Sequence, residues 1–585
     1  IADLKARGLK VTLYPLVMMD IPQGNTLTDP YWGGYQPAYP WRGRVTCEPA
    51  PGSAGSPDRS GAVLDQVEDF VGTGSDWRYR RMVTHYASLA TSAGGVDAFI
   101  IGSEMRAMTT LRDASDGFPF VTALVALAAE VRSIVGGATK LTYAADWSEF
   151  SGYQQDGEKF FHLDPLWASA DIDAVGIDNY MPLTDWRDGD DHLDAAEADS
   201  LYERDYLQSR IAGGEGYDWY YGSDGARVAQ VRSPIGDGAY GEPWVWRFKD
   251  IEAWWSNAHH DRPGGVRSAT ATAWVPQSKP IWFTELGCAA VDKGANQPNI
   301  FGDPKSSESG RPYFSSGLPD PLGQRQFLRA QVDYWSGAAN PASSVYGGPM
   351  VARIYLWTWD ARPYPAFPAD TASWSDGANH ATGHWLTGRT GAMASDELIA
   401  AVAADYGAEL ASVQPVQPLI HGLRIEGLAS AREALGEVLA VSGLSARDSA
   451  VGLQFRRANA RNAIAAVAAD GPILARRKPD PGEALGRVAL TYFDRERAYL
   501  TGTVTALRLA GGAAGTEASN LVLDLAGARH AAERILLDRS AAAETVEFSL
   551  PPSMAAVEVG DVLTLEGVAE GPFEVTEIRE GLARK

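Results

Sequence analysis

Up to about residue 392, short apolar runs that end in turn chemistry alternate with helix-length patterns, and few folds accept that alternation. The runs fall at 10–17, 97–102, 140–145, 172–178, 280–284 and 352–357. Each is too short for a helix and rich in Val, Ile, Leu and aromatic residues, as strands buried on both faces are. Helical patterns occupy 77–92, 120–135 and 321–337. A Gly/Pro-rich loop fills 20–60, and a long insertion, 185–278, carries amphipathic helices near 195–212 and 246–259.

Strand–helix repetition builds a parallel sheet, either open and doubly wound or closed as a barrel. Polar and aromatic residues gather at the C-terminal ends of the runs, where a (β/α)8 barrel assembles its site. The expectation is therefore an α/β chain whose residues 1–392 form a TIM barrel. The six runs would be its third to eighth strands, with the first two βα units upstream of residue 1. The chain starts at Ile1, without Met or the charged and apolar regions of a signal peptide, and is expected to begin inside a longer polypeptide.

Composition changes after about 392. Trp, with 18 copies in the chain, disappears there, while Ala, Arg and Leu rise. Helices are expected at 395–411 and 428–441, with a linker at Pro415 and Pro418. Strands follow at 450–456, 487–493, 499–509 and 519–524, then a helix at 526–537 and strands at 544–549, 561–566 and 572–578. Residues 393–585 thus read as a smaller α+β region. At 585 residues the chain exceeds what one core supports.

The net charge of −23 repels phosphate backbones, so no specific nucleic-acid binding is expected. No apolar run reaches the roughly 20 residues of a membrane span. Two cysteines, Cys47 and Cys288, exclude a disulfide scaffold, and two unpaired thiols are expected. His259, His260, His380 and His384 lack carboxylate or Cys company and read as surface or loop residues. Neither a metal nor a cofactor is expected.

Two strand ends carry chemistry: Gly102-Ser103-Glu104 and Phe283-Thr284-Glu285-Leu286-Gly287. Each sets one Glu just past a buried run, so that its carboxylate projects into the barrel mouth. Retaining glycosidases need such a pair, one carboxyl protonated for the leaving oxygen and one ionised for the anomeric carbon. Alone, either Glu could equally cap a helix or pair with an Arg such as Arg106. Trp147 could serve as a sugar platform or as a lid on the core. Asp146 and Asp178 could bond sugar hydroxyls, tune the glutamates or cap loops, and Asp20 is a weaker candidate.

These two motifs resemble the acid/base and nucleophile motifs of the large clan of retaining (β/α)8 glycosidases, closest to mannanase-type members. The resemblance implies Glu104 as acid/base and Glu285 as nucleophile, with Ser103 where many members place Asn. It also implies Tyr180 beside the nucleophile, Trp359 beneath the sugar at the end of the last strand, and substrate contacts from Ser103, Trp147 and Asp178.

The barrel with its insertion, and the strand end Trp357-Thr358-Trp359-Asp360-Ala361-Arg362-Pro363, resemble the TIM-barrel-like domain of gene transfer agent tail proteins. Residues 487–502, with 559–563 and 574–578, are similar to the hub segment of phage host-specificity tail-tip proteins. Those resemblances imply a tail-tip hub of a phage-like particle, made in the bacterial cytoplasm. A homotrimer is implied, partnered by other tail-tip or baseplate proteins and by cell-surface polysaccharide or peptidoglycan. Arg456-Arg457 and Arg476-Arg477-Lys478 read as interface or solvated charges. An inactive glycan-binding barrel in the hub, or a free retaining glycosidase, are the competing readings.

Overall fold

A computed structural model describes residues 1–457, 463–467, 473–478, 480, 484–509, 511–566 and 571–579. It divides into two compact units. The first comprises residues 1–188, 192–194 and 204–386, and the second comprises 189–191, 195–203 and 387–585.

The first unit is built on one six-stranded sheet: β1 (Thr12–Leu13), β2 (Ala98–Ser103), β3 (Lys140–Asp146), β4 (Val175–Asn179), β5 (Ile281–Leu286) and β6 (Val351–Leu356). The strands lie side by side in chain order and every pair is parallel, the order and direction of strands in a βα barrel. Strands β2, β4 and β5 are buried along their whole length, which explains why they read as unbroken apolar runs. Near the N-terminal ends of the strands, Ala98 and Ala174 leave room for Trp282, against which Tyr355 packs. The Tyr355 hydroxyl lies 2.8 Å from Thr12 Oγ1, so side chains of the first and last strands meet.

Helices cover this sheet where their caps predict. Pro119–Val135 starts with Pro in its first turn and stops at Gly136, whose φ of 77° suits a residue without Cβ. Pro321–Ser336 is capped by Asp320, which accepts 2.9 Å from the Gly323 N–H. Tyr79–Ser92 matches the third expected helix.

Three expectations need shortening. The run 10–17 pairs only at Thr12 and Leu13, because Pro15 has no N–H to give the ladder. In the insertion, the helices near 195–212 and 246–259 shrink to Arg204–Ser209 and Ile251–Ser256. There, side chains bond each other rather than support helical turns: Arg232 reaches Asp185 at 2.9 Å and Asp194 at 2.5 Å.

The second unit mixes helices and sheets. Its four-stranded sheet runs Gly422–Leu423, Ala513–Leu523, Leu485–Asp494, Leu500–Leu507. Alternate residues of Leu485–Asp494 are buried, and the helix Leu525–Ala541 packs on that face. The helix Ala431–Ser442 begins with a capping box between Ser430 and Glu433 and ends at Gly443 with φ 65°. The expected linker at Pro415 and Pro418 is instead part of this unit, since Val416, Leu419 and Ile420 between and beside these prolines are buried. The helix expected at 395–411 stops at Asp405, and Leu410–Val413 forms a strand. Arg457 is tucked inward, bonding the Ser442 carbonyl at 2.8 Å. Among the described residues no helix is long and apolar enough to cross a membrane.

Candidate active site

The parallel register places acidic residues at one level. Asp146 of β3 faces Asp178 of β4, and Asp178 faces Glu285 of β5. Register shifts interrupt the ladder at Ile100/Ser103 and at Ile177/Asp178, just where side chains must be aimed into the opening. Glu104 follows directly after β2 with a left-handed φ of 47°, a conformation a non-Gly residue adopts only when its surroundings impose it. Its N–H donates to Ala144 O at 2.8 Å, and the next N–H, of Met105, donates to the Tyr143 hydroxyl at 2.8 Å.

Glu104, Asp178 and Glu285 each bring one carboxylate oxygen within 4.8 Å of the others. Both glutamates are almost fully buried, 6% and 4% exposed. Glu104 Oε2 accepts from the Trp41 indole N–H at 2.7 Å and is ion-paired with Arg42, Nη2 at 2.8 Å. Glu285 Oε2 accepts from the Tyr180 hydroxyl at 2.6 Å. Its Oε1 has no hydrogen-bond partner and lies 3.8 Å from Arg42 Nη2. One oxygen of Glu285 is thus held and the other is buried without a hydrogen bond.

Asp178 sits beneath the pair, fully buried. Its Oδ1 accepts from Thr284 Oγ1 at 2.7 Å and its Oδ2 from the Tyr14 hydroxyl at 3.1 Å. Ser103 Oγ accepts from Tyr14 at 2.5 Å and from Arg42 at 2.8 Å. Ser103 and Asp178 thus bond Tyr14, Arg42 and Thr284. Tyr180 is beside Glu285 as the resemblance implies. Trp147 packs on Phe248, ring centroids 4.8 Å apart, and Trp359 stands 59% exposed on the loop after β6. Asp20 is exposed.

Charge crowding sets the protonation pattern. Burial, reinforced by the Glu104 charge, pushes Glu285 up to about 8, against the pull of Arg42 and Tyr180. Burial and the two glutamates raise Asp178 well above the carboxylate range. Asp146 rises to about 6 through burial and the Glu104 charge. Such raised values have a cost in stability. A carboxyl with a folded value near 8 and an ordinary value of 4.5 contributes stability fully below pH 4.5 and loses it as pH climbs through 8. Glu285→Gln, which never ionises, is expected to gain on the wild type across that window, by on the order of a few kcal/mol above pH 8. Denaturant melts from pH 4 to 9 check this; a constant difference would contradict it.

Three partners of the carboxylates, Tyr14, Trp41 and Arg42, escape a reading of strand ends. Trp41 and Arg42 lie in the 20–60 loop, in and beside the short 3-10 turn Arg42–Arg44. The turn requires Gly43: a Cβ there would fall 2.3 Å from the Trp41 ring. The only signal was two arginines and a Trp around one Gly, WRGR, in a stretch otherwise poor in charge.

The three carboxylates are spaced closely enough to hold a cation, and they are the only such group among the described residues. The guanidinium of Arg42 already lies among them. His259 and His384 are buried rather than at the surface, with His259 bonded to Asp164 at 2.8 Å and to the Trp254 carbonyl at 2.7 Å. Cys47 and Cys288 are buried free thiols.

Residues 77–368 match the family model of the GTA TIM-barrel-like domain, and 430–578 match that of a putative phage tail protein. Among solved structures, a chain of the virion of a native gene transfer agent (GTA) particle is 29% identical, with TM-score 0.33, over 36% of this chain and 50% of that one. The tail protein from Neisseria meningitidis MC58 is 15% identical, TM-score 0.23, covering 30% of this chain and 57% of that chain. The 43 kDa tail protein of prophage MuSo2 from Shewanella oneidensis is 13% identical, TM-score 0.25, covering 33% and 63%. The chain thus spans half of the gene transfer agent chain and under two thirds of the other two. No curated protein matches it.

Proposed function

Because the chain belongs to the tail proteins of phages and gene transfer agents, with a GTA TIM-barrel-like domain and a phage tail domain, we propose that its barrel is a retaining glycosidase carried on the tail of a virion-like particle. Its substrate is a glycan of the host envelope or capsule. One observation carries this: oxygens of Glu104 and Glu285 lie within 4.8 Å of each other. Direct attack needs carboxyls roughly 5–5.5 Å apart, whereas an interposed water needs ~6.5–9.5 Å.

The pair works with a single proton. Glu104 donates it to the glycosidic oxygen as the bond to the anomeric carbon breaks, and Glu285 Oε1 bonds to that carbon. Water then attacks the glycosyl ester, gives its proton to Glu104, and frees the Glu285 carboxylate. In the ligand-free state burial favours that proton on Glu285, while Arg42 and Trp41 engage Glu104. Tyr180 holds Glu285 Oε2 and leaves Oε1 for attack.

The six-stranded arc is the larger part of a (β/α)8 barrel, supported by strands that follow one another in parallel and by the half-exposed outer strand β6. Residues 393–585 are the hub part, supported by the tail-protein match over 430–578. They assemble as a homotrimer with other tail-tip proteins. A second reading, a barrel that binds glycan without cutting it, is favoured by the Arg42–Glu104 ion pair. Reducing ends released from purified host envelope polysaccharide separate the two. The wild type should release them and Glu104→Gln should release at least about a hundredfold fewer. Equal release by both would overturn the assignment.

A further inference from the structure

The loop that delivers Trp41 and Arg42 to the carboxylates also displays a row of aromatic rings to solvent. Trp32 and Tyr35 are each 66% exposed, Tyr39 is 54% exposed, and Tyr31 is half-exposed. Exposing so much ring costs free energy, and here the rings are held in place by a buried ionic anchor. Arg44, almost wholly buried, donates to Asp29 at 2.6 Å and to Glu308 at 2.7 Å. Its guanidinium carbon lies over the Trp32 ring, 3.6 Å from the centroid, and 5.4 Å from the centroid of Tyr31. Asp29 Oδ1 also accepts from the N–H groups of Tyr31 at 2.8 Å and Trp32 at 2.9 Å, closing the turn that sets their direction. Trp32 therefore has one face covered by a cation and the other bare.

Tyr31 ties this loop to the carboxylate site. Tyr31 donates to the Gly43 carbonyl at 2.8 Å, and its ring stacks on Trp41, centroids 6.4 Å apart. Trp41 in turn holds Glu104. From these contacts we infer that Trp32, Tyr31, Tyr35 and Tyr39 form a binding shelf for a polysaccharide chain, carrying successive pyranose rings outward from the bond held between Glu104 and Glu285. The inference rests on the glycan-directed reading of the barrel and specifies its substrate as an extended chain rather than a short oligosaccharide. Sugar is favoured over protein because, Leu27 apart, the exposed large apolar side chains of the loop are rings with polar edges, separated by Gly and Pro. Between 28 and 40 no Val, Leu, Ile or Met occurs, so the rings have no branched or long aliphatic neighbours there. A pyranose presents an apolar C–H face to a flat indole and hydroxyls to the tyrosine edges.

Affinity electrophoresis of full chain carrying Glu285→Gln tests this, in gels loaded with purified bacterial capsular polysaccharides, alongside pull-down on peptidoglycan sacculi. Retardation by at least one of these glycans is expected. Adding Trp32→Ala should weaken it on the order of tenfold, and Trp32→Phe should restore most of it. Circular dichroism and melting of each variant show whether the loop's anchor survives. Retardation that Trp32→Ala and Tyr35→Ala both leave unchanged would overturn the shelf, as would binding to none of the glycans. So would a Trp32-dependent contact with another tail protein in place of glycan. Trp32-dependent retention with no cleavage by the wild type would instead leave the shelf standing and remove the hydrolase.

Discussion

Glu285→Gln is expected to abolish glycan cleavage, with turnover falling by at least about a thousandfold while the barrel stays folded. The expectation follows from how the two oxygens of Glu285 are treated. Tyr180 binds one of them, and the other is buried with no hydrogen-bond partner. A structural carboxylate buried to 4% exposure would have both oxygens satisfied, because an orphaned acceptor costs about 1–3 kcal/mol. The amide keeps the volume and the bond from Tyr180 but cannot attack the anomeric carbon. Since Glu285 is destabilising when ionised, the variant should also be the more stable protein at alkaline pH. Loss of cleavage with gain of stability separates a catalytic group from a packing one. A variant that is both inactive and unstable would point to misfolding.

Arg42→Ala carries the second large effect. Arg42 is the one cation among Glu104, Asp178 and Glu285 in the described structure, and it also bonds Ser103. Removing one partner from a buried ion pair costs about 3–5 kcal/mol because the other charge is stranded. Here the stranded charges are carboxylates, which can escape by binding protons. The raised values of Glu285 and Asp178 rise further once Arg42, which pulls both down, is gone. The penalty should therefore be small near pH 5 and about 3 kcal/mol or more near pH 8. Tryptophan fluorescence in denaturant reads this cleanly, since the last Trp of the chain is Trp385 and the 387–585 unit contributes no signal. Equal destabilisation at both pH values would mean that Arg42 acts by packing alone.

Strand ends were legible in the sequence; the loop that completes the site was not. Glu104, Asp178 and Glu285 could be found because each ends a run of buried residues, and in a parallel sheet such positions share one rim. Tyr180 came only from the resemblance to the glycosidase clan. Trp41 and Arg42 could not be placed, because an irregular loop takes its path from distant partners: Arg44 is fixed by Glu308, 264 residues away. Ser103 looked like a sugar ligand by position, yet its hydroxyl is taken up by Tyr14 and Arg42. The prolines at 415 and 418 suggested a linker, but composition does not reveal that Val416 and Ile420 pack into a core. Helix lengths in the insertion were overestimated for a similar reason. Amphipathic spacing there serves pairing of Arg and Asp side chains, not a continuous helical face.

The shared-bond geometry of the two glutamates is most directly tested by trapping. Wild-type protein would be incubated with a panel of activated 2-deoxy-2-fluoro glycosides, which let the glycosyl ester form but slow its hydrolysis, and digested for peptide mass spectrometry. One sugar of the panel should leave a glycosyl group on Glu285, and Glu285→Gln should take up none. A label on Glu104 instead, or a wild type that cleaves envelope glycan with inversion and never becomes labelled, would contradict direct attack by Glu285 across a gap this short.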